Sequence, residues 1–319
     1  MSLKIFWYPY STMYDLIIIG GGPAGVSAGV YAARKRLKTL IVTESFGGQS
    51  VDSMGIENWI GTQKISGPDL AKQLESHLRS YENESVVIKT GVRVSKVEKV
   101  GDIFSVTIGE EVMKATTVLV TSGSSRRKLD IPGGKEFENK GITYCASCDG
   151  PLFADMDVVV IGGGNAGFET AAQLLSYAKS VTLLHRADKF RADEMTVEKV
   201  LGNPKMKGVL NALPFEIKGD KFVSSIVYTD KMTGENVEIP ASGVFVEIGL
   251  VPNTSFVDGL VPMNEFKQII ADPRTGRTET LGVWAAGDVT DTMYHQNNIA
   301  SGDAVRALEN IYMYIRTGR

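Results

Sequence analysis

Apolar, mostly β-branched residues run together without a polar break at positions 16–19 and again at 158–161, and both runs end on a glycine triplet. The first, Asp15-Leu16-Ile17-Ile18-Ile19, enters Gly20-Gly21-Gly22-Pro23-Ala24-Gly25 and then an alanine-rich stretch over 26–33, which predicts a strand, a tight turn and a helix. The second, Asp157-Val158-Val159-Val160-Ile161, feeds Gly162-Gly163-Gly164-Asn165-Ala166-Gly167, and helix formers follow to about Tyr177. Each unit continues into a further strand, over 39–43 and 181–184. Alternating segments over 87–107 and 111–120 predict strands of a small antiparallel sheet, and 221–240, broken by Thr233-Gly234, predicts a hairpin. A third strand-to-glycine junction, Val283-Trp284-Ala285-Ala286-Gly287-Asp288, precedes a helix expected over about 300–315.

The glycine spacing adds chemistry to this pattern. Gly20, Gly22 and Gly25 fit GxGxxG, in which the first glycine permits the turn, the second admits a pyrophosphate to the backbone and the third lets helix pack on strand. Glu44 lies 19 residues beyond Gly25, near the spacing expected of an acid on a ribose hydroxyl, though a solvated surface acid fits as well. Because the arrangement repeats at Gly162, Gly164 and Gly167, two dinucleotides are implied. After the second repeat's outer strand stand His185, Arg186 and Arg191, where an acid usually marks NAD; arginine there matches a 2′-phosphate and favours NADPH, with ordinary surface charge as the alternative. Asp288 can meet a flavin's ribityl or phosphate oxygens, or simply cap a helix.

Cys145 and Cys148 are the only cysteines and stand two residues apart in Thr143-Tyr144-Cys145-Ala146-Ser147-Cys148-Asp149-Gly150. That spacing suits a reversible disulfide, since thiol exchange needs a thiolate and a second sulfur close enough to close the ring. Zinc is disfavoured: the three histidines, His77, His185 and His295, are scattered, and no second CxxC exists, so no metal site is expected.

Length and composition narrow the classes further. A chain of 319 residues with 43% hydrophobic and 22% charged residues suits two core-bearing globular domains. A net charge of −3 gives no basic face for nucleic acid. No apolar run approaches the ~20 residues of a membrane span. Residues 1–14 carry neither signal nor transit pattern, and the expected location is the cytoplasm.

Taken together, these motifs resemble the low-molecular-weight thioredoxin reductase family and the C-terminal reductase portion of alkyl hydroperoxide reductase flavoproteins. The resemblance runs from about Tyr14 to the end of the chain. It implies an α/β fold of two doubly wound dinucleotide-binding domains, one for FAD and one for NADPH, with the second inserted in the first. The FAD domain would comprise residues 1–125 and 251–319, and the pyridine-nucleotide domain with its CxxC residues 126–250. FAD would be held by Gly20, Gly22, Pro23, Ala24, Gly25, Glu44, Gly48, Gln49, Asn58, Gly123, Gly287, Asp288 and Gln296. NADPH would be held by Gly162, Gly164, Asn165, Ala166, Glu169, His185, Arg186 and Arg191.

The resemblance also implies a route for electrons, from NADPH through FAD to the Cys145–Cys148 disulfide and on to a thioredoxin-like protein. In it Cys148 faces the flavin, Cys145 attacks the partner's disulfide and Asp149 carries the proton; a homodimer follows by analogy. Two positions depart from the family. The usual HRRxxxR reads His185-Arg186-Ala187-Asp188-Lys189-Phe190-Arg191, which removes one basic contact, and His295 precedes Gln296 where arginine is usual. Thr143-Tyr144, Pro151-Leu152-Phe153 and 249–254 are closer to the peroxide-system reductase. A dithiol oxidase, a ferredoxin-fed reductase and a non-catalytic flavin redox sensor are the competing readings, and Ala187 points toward the first.

Overall fold

The computed structural model describes residues 13–53 and 55–318, so most of the opening segment read for a leader lies outside the described residues. The chain forms two compact units, one from the residues up to Ser125 together with those from Val251 onward, the other Arg126–Leu250.

In the first unit β1 (Met13–Gly21), α1 (Pro23–Arg34), β2 (Thr39–Phe46), α2 (Gly67–Arg79) and β3 (Val86–Thr90) alternate. β4 (Val94–Val100), β5 (Ile103–Ile108) and β6 (Glu111–Val120) follow as a meander. β6 decides the architecture. Its first residues pair antiparallel with β5, while Lys114–Val120 pair parallel with Met13–Ile19 of β1. The result is one mixed sheet in the order β3-β2-β1-β6-β5-β4. Of the small antiparallel sheet expected over 87–107 and 111–120, β4, β5 and β6 pair antiparallel as expected, but Val86–Thr90 pairs parallel with β2, and the meander continues the main sheet through β6 instead of standing apart.

Both faces of that sheet are covered, which is why β1 reads as unbroken apolar sequence. Leu16 and Ile18 pack against residues of α1, α2 and the last helix, whereas Ile17 and Ile19 face Val118, Val120, Val257 and Ile269. All but Ile19 are completely buried, and each contributes about 1.5–3 kcal/mol through that burial.

The short strand β7 (Ser124–Arg126) carries the chain from the first unit into the second, which continues through β8 (Ile142–Thr143) and α3 (Ala146–Asp149). Then come β9 (Asp157–Ile161), α4 (Asn165–Leu174), β10 (Ser180–Leu184), α5 (Glu194–Leu201) and β11 (Met206–Val209). β12 (Ala212–Gly219), β13 (Val223–Asp230) and β14 (Asn236–Pro240) form a three-stranded antiparallel sheet, one strand more than the hairpin expected over 221–240. β15 (Gly243–Val246) completes a parallel sheet ordered β11-β10-β9-β15-β8. Val159, Ile161 and Val244 pack toward the three-stranded sheet, while Val158, Val160 and Phe245 pack toward α4, giving three layers.

The chain returns through β16 (Leu250–Pro252) to β17 (Val283–Ala285), which pairs parallel with β6, and to α6 (Asn297–Thr317), which packs on α1. Among the described residues no helix is long and apolar enough to cross a membrane.

Candidate active site

The first unit holds a cleft of about 660 Å³ along the carboxyl ends of β1, β2 and β6. Gly20, Gly22, Pro23, Ala24, Glu44, Gly48, Gln49, Gly123 and Asp288 line it, joined by Arg93, Thr121, Asn253 and Asn297. Glycine is what keeps it open. A Cβ on Gly48 would lie 3.5 Å from the α-carbon of Gly22, and one on Gly123 would meet nothing within 4 Å, so side chains there would project into the cleft. Gly22 precedes α1 without a side-chain cap, and the helix has no acid in its first turn, which leaves the amides that follow Pro23 to an anionic ligand. These features fit a dinucleotide.

Long-range hydrogen bonds assemble the rest of this region. Gln49 Nε2 donates to Ser124 Oγ at 3.2 Å and approaches Asp288 Oδ2 at 3.5 Å. Ser50 Oγ donates to Asn297 Oδ1 at 2.8 Å. Asn58 Nδ2 donates to Gln296 Oε1 at 3.0 Å, so these two residues meet each other outside the cleft lining. Gly25 and Gly287 also stand outside it and serve packing: Gly287 takes a left-handed φ of 76° where a Cβ would lie 3.2 Å from that of Ala300 and 3.3 Å from that of Ala24. Glu44 is exposed at the cleft and accepts from Arg93 Nε at 2.7 Å, a partner that the sequence reading missed. His295 lies with Nδ1 3.4 Å from Asp288 Oδ1.

In the second unit the glycine loop between β9 and α4 repeats the arrangement. Gly164 precedes α4 with no side-chain cap, the helix has no first-turn acid, and a Cβ on Gly164 would meet nothing within 4 Å. The loop after β10 folds onto it. The Arg191 amide donates to Gly163 O at 2.7 Å, and the Asp193 amide donates to Asn165 Oδ1 at 2.9 Å. Arg186 and Arg191 are exposed beside this loop, and Ala166 and Glu169 are exposed at the start of α4. His185 is placed differently from the two arginines. It is buried against Gly163 and Phe190, and burial holds its pKa below the ordinary value, helped by Arg191 and Arg186 and opposed by the Lys189 carbonyl. Its Nδ1 accepts from the Gly163 amide at 3.1 Å, so the ring packs behind the loop, and its lowered pKa favours the neutral form.

Cys145 and Cys148 form a disulfide with their α-carbons 5.3 Å apart at the start of α3. Cys148 is exposed and Cys145 half-buried, and the Cys148 amide donates to Cys145 Sγ at 3.2 Å. Asp149 accepts from Thr143 Oγ1. Burial pushes the Asp149 carboxyl above the usual carboxylate range, while Thr143 and the Arg126 guanidinium pull it back. Arg126 also donates to the Tyr144 carbonyl and lies over that ring, 5.7 Å from its centroid, which holds the residue preceding the dithiol. Thr143 was legible as part of the motif, whereas Arg126 carried no motif signal. Among the described residues no cluster could hold a metal ion.

Comparisons with known proteins identify the family and the fold. Residues 14–304 match the family described as pyridine nucleotide-disulphide oxidoreductase. The chain is 41% identical over 303 residues to an NADH dehydrogenase of Bacillus subtilis, covering 95% of this chain and 58% of that protein. It is 40% identical over 303 residues to a component of the alkyl hydroperoxide reductase of Staphylococcus epidermidis, covering 95% of this chain and 59% of that one. The chain thus spans about three-fifths of the length of these relatives. Among solved structures, the thioredoxin reductase of Streptococcus pyogenes superposes with a TM-score of 0.88 at 34% identity, covering 97% of this chain and 100% of that one.

Proposed function

The chain belongs to the pyridine nucleotide-disulphide oxidoreductase family, and on that premise we propose that it is an NADPH-dependent flavoprotein reductase of a thioredoxin-like protein disulfide. The observation that carries this reading is the Cys145–Cys148 disulfide with a carboxyl of raised pKa beside it, in a chain that also holds two glycine-loop cradles. FAD belongs in the cleft of the first unit, where it would supply two-electron transfer between a nicotinamide and a disulfide. Gly20, Gly22, Gly48 and Gly123 give its backbone access, and Gln49 and Asp288 offer polar contacts.

The chain's own chemistry starts at the dithiol. Two electrons open the Cys145–Cys148 bond, leaving a thiol and a thiolate. Asp149, whose pKa is raised by burial, takes or returns the proton. Attack of the Cys145 thiolate on the partner's disulfide gives a mixed disulfide and releases one partner thiol. Cys148 then displaces the second, which restores the internal bond. In the second unit Arg186 and Arg191 receive the 2′-phosphate, Asn165 and Ala166 offer the helix start, and Glu169 contacts the ribose side. A cytoplasmic homodimer completes the reading, supported by the likeness to thioredoxin reductases.

A second reading has specific support. Ala187 and the buried, neutral His185 leave fewer charges for a 2′-phosphate, and relatives are named for NADH oxidation and alkyl hydroperoxide reduction. In this reading NADH is the donor and a peroxidase-linked dithiol protein is the acceptor. Anaerobic titration of the purified protein with each coenzyme, followed by flavin bleaching and then by turnover with thioredoxin, separates the two. Bleaching by NADPH at lower concentration, with catalytic thioredoxin reduction, is the expected result. Bleaching by NADH alone establishes the second reading, and no bleaching by either coenzyme sinks both.

A further inference from the structure

The second unit carries an acid at the rim of its glycine loop that the dithiol chemistry does not use. β9 is flanked by β10 on one side and β15 on the other. A dinucleotide lies across the carboxyl ends of strands at such a switch point, with its pyrophosphate on the loop. Arg186 and Arg191 follow β10 and mark the adenosine side. The nicotinamide side is therefore the carboxyl end of β15, and the residue that follows its last residue, Val246, is Glu247.

Three contacts build this position. The Glu247 amide donates to Ile161 O at 2.8 Å, which carries the β15 ladder one residue further. A Cβ on Gly162 would lie 2.2 Å from the Glu247 carbonyl oxygen, so the first loop glycine rests directly against this residue. Thr170 Oγ1, on α4, donates to Glu247 Oε1 at 2.8 Å, the single side-chain hydrogen bond that the acid makes among the described residues. The strand before it, Val244-Phe245-Val246, is buried. A carboxyl placed there is costly without polar partners: burial raises its pKa, Thr170 and Arg126 oppose the rise, and Glu169 adds to it.

Resting on the reading of this unit as the coenzyme site, we propose that Glu247 recognises the nicotinamide carboxamide, its carboxylate accepting a hydrogen bond from the amide NH2. Thr170 holds one oxygen and so orients the other. The contact reads an N–H, so a coenzyme whose carboxamide is replaced by a methyl ketone loses it.

The test is a binding cycle on the flavin-loaded protein, read by calorimetry, with NADP+, its 3-acetylpyridine analogue and 2′,5′-ADP against wild type, Glu247→Ala and Glu247→Gln. The acetyl-for-carboxamide exchange is expected to weaken wild-type binding about ten-fold and Glu247→Ala binding less than about two-fold. 2′,5′-ADP, which lacks the nicotinamide, binds all three proteins alike. An analogue penalty equal in wild type and Glu247→Ala overturns the proposal. So does loss of 2′,5′-ADP binding in that variant, which makes Glu247 a support of the loop. Should Glu247→Ala fold poorly, Glu247→Gln carries the test, its penalty falling to about three-fold because a neutral acceptor is weaker, and an unchanged penalty there overturns it. If NADP+ fails to bind and NAD+ binds, the NADPH reading falls while the same cycle with NAD+, its acetylpyridine analogue and 5′-AMP decides Glu247. If neither binds, both readings fall.

Discussion

The backbone amide of Gly163 donates to Nδ1 of His185 at 3.1 Å, across 22 positions of sequence, and so fixes the imidazole as a neutral acceptor behind the glycine loop. Protonation at that nitrogen would remove the acceptor. The folded pKa is lowered by burial, so as pH falls the unfolded chain takes up this proton first, near its ordinary value of about 6.5. Above that pH both states are neutral and the residue adds nothing to pH dependence. Below it the unfolded state gains, and stability is lost.

The wild type should therefore lose more stability than His185→Gln on passing from about pH 7.5 to about pH 5.5, a window that brackets the ordinary histidine value. Denaturant midpoints of the two proteins at each pH measure this. Parallel pH profiles would show that the ring is protonated without penalty.

Glycines at equivalent loop positions should differ in cost from glycine elsewhere. A Cβ on Gly25 would stand 1.9 Å from the Gly20 carbonyl oxygen, and Gly167 and Gly162 repeat the approach at 1.8 Å. Both neighbours are backbone and cannot swing away. Gly25→Ala should cost at least about 1–3 kcal/mol and yield protein depleted of flavin. Gly302→Ala in α6, where a Cβ meets nothing within 4 Å, should stabilise by about 0.5–1 kcal/mol. Thermal unfolding and the flavin-to-protein absorbance ratio check both, and a Gly25→Ala protein that retains full flavin would contradict the packing argument.

Cys145→Ser and Cys148→Ser should each abolish disulfide reduction while leaving the flavin bound and reducible by the coenzyme, because the sulfurs act after it. Thioredoxin turnover and single-turnover flavin bleaching separate the two steps. Undiminished turnover in either variant would remove the dithiol from the route.

Coenzyme choice should respond to the loop after β10. Charge-assisted hydrogen bonds contribute about 1.5–3 kcal/mol each, so Ala187→Arg should tighten NADPH by about ten- to a hundred-fold and leave NADH unchanged. Arg186→Ala should weaken NADPH by a similar factor. The ratio of flavin-reduction efficiencies for the two coenzymes is the readout. A ratio that moves in neither variant would assign these arginines to surface charge.

The sequence by itself determined the two strand–glycine–helix units and the dithiol motif. Their information is local: within ten positions, 20–25 and 162–167 specify which backbone must turn sharply and which α-carbon must carry no side chain, and that requirement does not depend on the rest of the chain. Gly25 and Gly167 were legible for that reason. Only the tertiary structure decided what converges and what is buried. Glu44 acquired Arg93 because β2 and the segment after β3 run side by side, and Asn58 met Gln296 across 238 positions. β6 became the strand that joins meander to parallel sheet because its two halves found different partners, which alternation alone cannot express. His185, grouped with two arginines by its place in a basic motif, turned inward because its ring fills the space beside Gly163 and Phe190, and Glu247 gained its setting from Gly162 and Thr170. Burial and convergence are sums over contacts distant in sequence, so no window of neighbouring residues contains them.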